Sequence, residues 1–370
     1  MSLEPARPTP KASASRSSIS FPRENNLEWL RLAFAVQVVL AHATEHLGVV
    51  VPGLELIQHF PGVPAFFFVS GFLIYAAYVN TPDYRYFQNR FLRLYPGLVF
   101  VTLGGAVVAL SAHGWFDLLS KFSTYVTWFL AQTTLGQAYN PAHFRDVGVG
   151  VINGSLWTLT TEILFYLCVP VLVWLERRFR YAVLLLSCIS FGIYAQGPMI
   201  WQGAVYRDKT AYDFIALTPA AWGWMFGAGI LAVKHFSAIQ RSIRFLPLAI
   251  LPLVVLMLVG TGPFFGSAGN RLGVVYFVLY VAVVLWCAFG TPFLRLNFDL
   301  SFGTYVWHMP VINLLLVLAL PSLPLVLFLT FSIAALSWFL VERPALSLKR
   351  HSLRPMTKAE TVVGQQPVTR

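Results

Sequence analysis

Apolar residues gather along this chain into long runs, divided by short stretches where Pro, Gly or charge cluster. The runs fall at 27–46, 61–80, 96–112, 157–175, 181–196, 213–233, 244–260, 272–290, 301–319 and 324–341. Each approaches the ~20 residues with which a helix spans the hydrocarbon core of a bilayer. An eleventh stretch, 118–135, is shorter and carries Lys121, Ser123, Thr124 and Gln132. The pattern predicts an all-α polytopic membrane bundle of about ten transmembrane helices, with 118–135 as a short re-entrant or interfacial helix. Residues 1–24, rich in Ser, Pro and Arg, lack an apolar core and are expected to be a disordered cytoplasmic tail, not a cleavable signal peptide. Residues 346–370 are expected to be a second such tail, leaving 25–345 as one membrane domain.

Composition sharpens this. The 370 residues are 57% hydrophobic and 11% charged, with mean hydropathy +0.67, which excludes an ordinary soluble domain. The net charge of +11 is not read as a nucleic-acid footprint, because the basic residues lie between the runs, where they set orientation. With ten spans and the N-terminus inside, only Lys121, Arg145, Arg207, Lys209 and Arg271 fall outside. Arg31 lies within a span, and the other twenty Lys and Arg fall inside. Counting 118–135 as a full span would spoil that bias. Cys168, Cys188 and Cys287 sit in apolar runs without metal spacing and read as small apolar residues. No internal repeat is evident, which weighs against a transporter built from duplicated halves.

Candidate chemistry starts in the first run. Arg31 and His42 are eleven positions apart, roughly 16 Å along a helix and within about 20° of one face. Ionisable groups at such depth are costly and mark function by default. The pair reads as a basic anchor near one surface and a proton-handling group well inside. Each taken singly also fits a structural role, as a snorkelling arginine or a bundle-bonded histidine. His42 and His46 have the i, i+4 spacing of metal ligands. The zinc-protease pattern needs Glu directly after the first His, however, and Ala43 stands there, so no metal is expected.

Further along, Ser70-Gly71 lies in an aromatic run, where small residues permit close helix approach. Arg90 and Arg93 share a face at i, i+3 on an expected cytoplasmic loop. They suit either phosphate binding or ordinary positive-inside anchoring. Glu162 lies about two turns into a span that opens with Trp157, and needs a partner or a proton there. The segment 301–310 contains Tyr305, His308 and a kinking Pro310, and the last span closes on Glu342-Arg343-Pro344.

These six patterns, in this order, resemble the membrane-bound acyltransferase-3 family over about residues 25–345. They are the Arg31/His42 spacing, the FFF-x-SGFLI stretch, Arg90/Arg93 before Tyr95-Pro96, SLW-x-L-x-x-E ending at Glu162, the S-x-G-x-Y-x-W-H segment ending at His308, and Glu-Arg-Pro. Two departures are Glu28, where Asp is common, and no SGNH-type domain after the last span, so the acceptor would be acylated directly or through a separate partner. The resemblance implies a bacterial inner-membrane enzyme with both termini cytoplasmic. It takes an acyl group, usually acetyl, from cytoplasmic acyl-CoA to a hydroxyl of an extracytoplasmic or lipid-linked glycan or glycoside, with no permanently bound cofactor. In that reading Arg31, Arg90 and Arg93 bind the coenzyme A end. His42 is the general base or forms an acyl-histidine, and Glu162 orients it. Ser70, Trp157, Tyr305 and His308 are placed around the pocket. The competing reading is a transporter or flippase of a lipid-linked sugar that uses the same polar residues as a path.

Overall fold

A computed structural model describes residues 19–135, 139–196 and 215–349. Most of both predicted tails, the start of the run at 213–233, Arg207 and Lys209 lie outside the described residues. The helices are α1 Leu27–Leu47, α2 Gly62–Asn80, α3 Tyr84–His113, α4 Asp117–Ser120, α5 Phe122–Leu135, α6 Trp157–Arg178, α7 Ala182–Ala195 and α8 Pro219–Lys234. They continue with α9 Phe236–Ser242, α10 Ile250–Val259, α11 Gly262–Phe265, α12 Val274–Phe289, α13 Ser301–Val317, α14 Leu323–Ser337 and α15 Arg343–Ser347. A π-helical turn, Trp338–Glu342, joins the last two. Two-residue strands β1 Ser267–Ala268 and β2 Arg271–Leu272 pair antiparallel before α12.

Among the described residues, the predicted apolar runs lie mainly on helix, and the all-α membrane fold stands. Five helical runs are long and apolar enough to cross a bilayer: Leu54–Asn80, Tyr84–His113, Gly154–Arg178, Phe236–Val259 and Leu323–Ser347. Ala182–Ala195, Val274–Phe289 and Ser301–Val317 are apolar but shorter. The count of about ten crossings therefore goes beyond what these lengths establish. α1 has the length, at 21 residues, but its charged and histidine side chains lower its hydropathy. α5, at 14 residues, is roughly 21 Å long, short of a ~30 Å hydrocarbon core. It lies against the far end of α3, burying Tyr125 and Trp128 with Val108, Leu110, Phe144 and Ile152.

One boundary differs from expectation. The loop predicted to carry Arg90 and Arg93 is the start of α3. The Asp83 side chain caps that helix by accepting from the Arg85 amide at 2.8 Å. Pro96 sits inside the helix without ending it. α3 is thus 30 residues long, about 45 Å, and overhangs a hydrocarbon core.

The core is aromatic and close-packed around α2. A Cβ on Gly71 would sit 1.9 Å from the Phe226 carbonyl oxygen of α8, and one on Gly229 of α8 would sit 2.0 Å from that of Phe68. The Ser-Gly pair therefore does set a backbone-on-backbone approach. Gly71→Ala is expected to force the helices apart and cost at least about 1–3 kcal/mol. Gly192→Ala, where a Cβ meets nothing within 4 Å, is expected to leave the melting temperature unchanged or slightly raised. Thermal unfolding in one detergent compares them, and equal effects would refute the packing argument.

Two buried asparagines position the rest. Asn26 donates to Thr291 Oγ1, the Pro292 carbonyl and the Cys287 carbonyl, and accepts from the Leu294 amide. This ties the start of α1 to the loop leading into α13. Asn313 accepts from the Val149 amide at 2.8 Å and donates to the Val151 and Ile152 carbonyls, each at 2.9 Å. It holds the segment before α6 onto α13 and so satisfies buried backbone groups that would otherwise go unpaired.

Candidate active site

α1 and α13 run side by side in the same direction, and polar pairs join them at two levels. At the first, Arg31 Nη1 lies 3.2 Å from Asp299 Oδ2, and Arg93 of α3 donates to the same oxygen. The other oxygen, Asp299 Oδ1, accepts from the Ser301 amide and hydroxyl. Burial alone would raise the Asp299 pKa, but the two guanidiniums outweigh it and hold the carboxyl well below the usual carboxylate range. Asp299 was not among the expected site residues. An aspartate two residues before a helix reads as a cap, and its arginines are 268 and 206 positions away.

At the second level, His42 Nδ1 lies 2.8 Å from His308 Nε2. His308 Nδ1 lies 2.6 Å from the Tyr305 carbonyl, and His308 is fully buried. A carbonyl only accepts, so His308 carries its proton on Nδ1 and, when neutral, offers a lone pair at Nε2. His42 must then donate from Nδ1, which leaves its own Nε2 with a free lone pair. The side chain within hydrogen-bond distance of His42 is therefore His308, where Glu162 was expected. Glu162 instead accepts from Tyr166 Oη at 2.6 Å, one turn along its own helix. The correction has a simple cause: a phenol at i+4 is within reach of a carboxylate whatever the tertiary packing.

A cavity partly open to solvent lies among α1, α2, α3, α6 and α13. Its lining includes Arg31, Arg90, Arg93, Ser70, Glu162 and Tyr305. The three candidate coenzyme-binding arginines are thus brought together in one place. Arg31 and Arg93 share Asp299. Arg90 stacks over Tyr86 and Tyr166, and its buried Nε has no hydrogen-bond partner. Just past the last helix, Lys349 is lowered to about 8, by burial first and then by the charges of Arg93 and Arg90. The mouth thus gathers Arg31, Arg90, Arg93 and Lys349, with the carboxyl groups of Asp299, Glu28, Glu162 and Glu342 beside them.

Trp157 does not line this cavity. It packs between Phe67 and Trp222, with ring centroids 6.1 and 5.2 Å away. Nor do His42 and His308 line it. Along α13 the lining residues are Ser301, Phe302 and Tyr305, and His308 is one turn further on. Phe66 and Tyr305, edge-on at 5.5 Å, both line the cavity, and the Tyr305 carbonyl holds the histidine pair beyond it.

The family model described as "Acyltransferase domain" matches residues 24–342. Nodulation protein 10 of Rhizobium leguminosarum bv. viciae is 29% identical over 350 residues, covering 88% of this chain and 94% of that protein. An O-acetyl transferase of Shigella phage Sf6 is 25% identical over 335 residues, covering 87% and 96%. No solved structure matches. The resemblance carried by the six sequence patterns and the family match over most of the chain agree, and the chain belongs to the acyltransferase-3 family and is an acyltransferase enzyme.

Proposed function

We propose that this membrane O-acyltransferase moves an acetyl group from cytoplasmic acyl-CoA to a hydroxyl of an extracytoplasmic or lipid-linked glycan or glycoside. In this reading it sits in a bacterial inner membrane, crosses it about ten times and keeps both termini inside. The observation that carries the reading is the polarity of α1, which puts a cation-lined cavity at one level and a hydrogen-bonded imidazole pair roughly 16 Å further on. A coenzyme A thioester has that same division, with phosphates at one end and a reactive carbonyl at the other. The O-acetyl transfer named for the phage relative supports oxygen as the acceptor atom and acetyl as the group.

In the proposed step, His42 Nε2 takes the acceptor hydroxyl proton as its oxygen adds to the thioester carbonyl. The tetrahedral adduct collapses, the C–S bond breaks, and the proton passes from His42 to the departing thiolate. His308 keeps His42 in the proton-accepting tautomer. Arg90 grips a donor phosphate, Arg31 and Arg93 flank it, and Tyr305 and Phe66 gate the passage of the acyl arm toward His42. Ser70 and Glu162 line the donor cavity.

The test is acetyl transfer from labelled acetyl-CoA to extracted glycolipids by the purified protein in nanodiscs. A transporter would move the glycolipid without labelling it, and that result would end the proposal. Arg90→Ala is expected to raise KM for acetyl-CoA about 10- to 100-fold with little change in kcat, since a charge-assisted hydrogen bond contributes about 1.5–3 kcal/mol. An unchanged KM would remove Arg90 from the donor site.

A further inference from the structure

A second polar cluster lies at the other end of α3. His113 ends that helix, and it is twenty residues, about 30 Å, from Arg93, so a hydrocarbon core separates it from the donor cavity. Asp117 opens α4, and His143 lies on a short turn, Ala142–Phe144. His143 Nε2 is 2.7 Å from Asp117 Oδ2, and His113 Nδ1 is 3.4 Å from the same oxygen. The ligand atoms of all three lie within 4.8 Å of one another.

The state of His113 singles this cluster out. Its Nε2 faces Asp146 Oδ1 and Oδ2 at 3.1 and 3.2 Å, and a nitrogen held between carboxylate oxygens carries the proton. Its Nδ1 is buried without a hydrogen-bond partner and is aimed at the Asp117 oxygen. In the neutral ring a lone pair would face a carboxylate, an arrangement that a cation between them relieves. A histidine bound to metal through one nitrogen, with its other N–H on a carboxylate, is the usual second shell of a zinc ligand.

We propose that His113, Asp117 and His143 bind one Zn²⁺, with Asp146 orienting His113. Two imidazoles and a carboxylate are a borderline donor set that suits this ion. Tetrahedral bonds of about 2.0–2.1 Å put neighbouring ligand atoms about 3.3 Å apart. The His113–Asp117 separation already matches, and His143 has to withdraw by about half an ångström. The ion would clasp the end of α3, the start of α4 and the segment that Asn313 fastens to α13. With three protein ligands, a fourth position stays open to solvent. His113 and Asp117 are four positions apart, but they sit on different helices and His143 lies 26 positions beyond Asp117, so spacing alone does not assemble the set.

The test uses the full chain in detergent, freed of metal by a chelator. Titration with Co²⁺ is expected to give the visible absorption of a tetrahedral site at one equivalent, discharged by one equivalent of Zn²⁺. His143→Ala, on a half-exposed turn, and Asp117→Asn are each expected to abolish it. His42→Ala, which removes the middle ring of the other group of neighbouring imidazoles among the described residues, is expected to retain it. Zn²⁺ is also expected to raise the melting temperature of the wild type and not of His143→Ala. Absence of the band in the wild type, or its persistence in a His143→Ala protein that elutes as a folded monodisperse species, would overturn the site.

Discussion

Replacing His42 by alanine is expected to lower kcat for acetyl transfer by about 10²–10⁴, the usual contribution of a positioned general base, with little change in KM for acetyl-CoA. The donor contacts proposed here lie a level away, at Arg31, Arg90 and Arg93, so binding and chemistry separate in the kinetics. His308 supplies the sharper discrimination. His308→Leu removes the acceptor of the His42 Nδ1–H and leaves that donor facing an apolar side chain. Loss of one buried hydrogen bond costs about 1–3 kcal/mol, so kcat is expected to fall about 10- to 100-fold. His308→Gln keeps an accepting oxygen at similar reach and is expected to recover part of the loss. Single-turnover assays on acetyl-CoA-loaded protein would separate this from slow product release. If His42→Ala transfers acetyl at near wild-type rate, neither a general base nor an acyl-histidine at this position survives.

How much of this was legible beforehand depends on whether an interaction is local. The helices were, because burial in lipid imposes apolar runs of fixed length whatever the partners are. So was the sharing of one face by Arg31 and His42, which follows from helical periodicity alone. Gly71 was legible as a packing residue for the same reason, though the backbone it meets, at Phe226, was not. What failed was pairing across the fold. Glu162 was matched to His42 on depth, whereas depth puts several helices at equal height and does not say which are neighbours. His308 stood within a recognised motif, yet its bond to His42 spans 266 positions. Asp299 was invisible because an aspartate before Ser301 has a sufficient local explanation as a cap. The start of α3 was misplaced because its first turns are polar. The Asp83 cap, not hydropathy, defines that end.

Asp299→Asn is expected to be the most destabilising single charge change at the site. The carboxylate stands between two guanidiniums that are themselves largely buried, with side-chain exposures of 23% for Arg31 and 14% for Arg93. The amide keeps the shape and removes the counter-charge, leaving two cations in a poorly hydrated place. Breaking a buried pair in this way costs about 3–5 kcal/mol. The pH dependence follows from the depressed Asp299 pKa. The folded state holds the group ionised more tightly than the unfolded chain does, so its contribution is complete above the unfolded value of about 4. It is lost as pH falls from there through the lower folded value. Wild-type stability is therefore expected to decline more steeply than that of the variant below about pH 4, the two curves converging as Asp299 protonates. Coenzyme A added to Asp299→Asn at neutral pH is expected to restore part of the lost melting temperature, because a bound phosphate supplies the missing negative charge. The same addition should do less for Arg90→Ala, which has lost a donor instead of an acceptor. A variant that melts with the wild type would show that the arginines are neutralised elsewhere, and Asp299 would lose its place as the hub of the donor mouth.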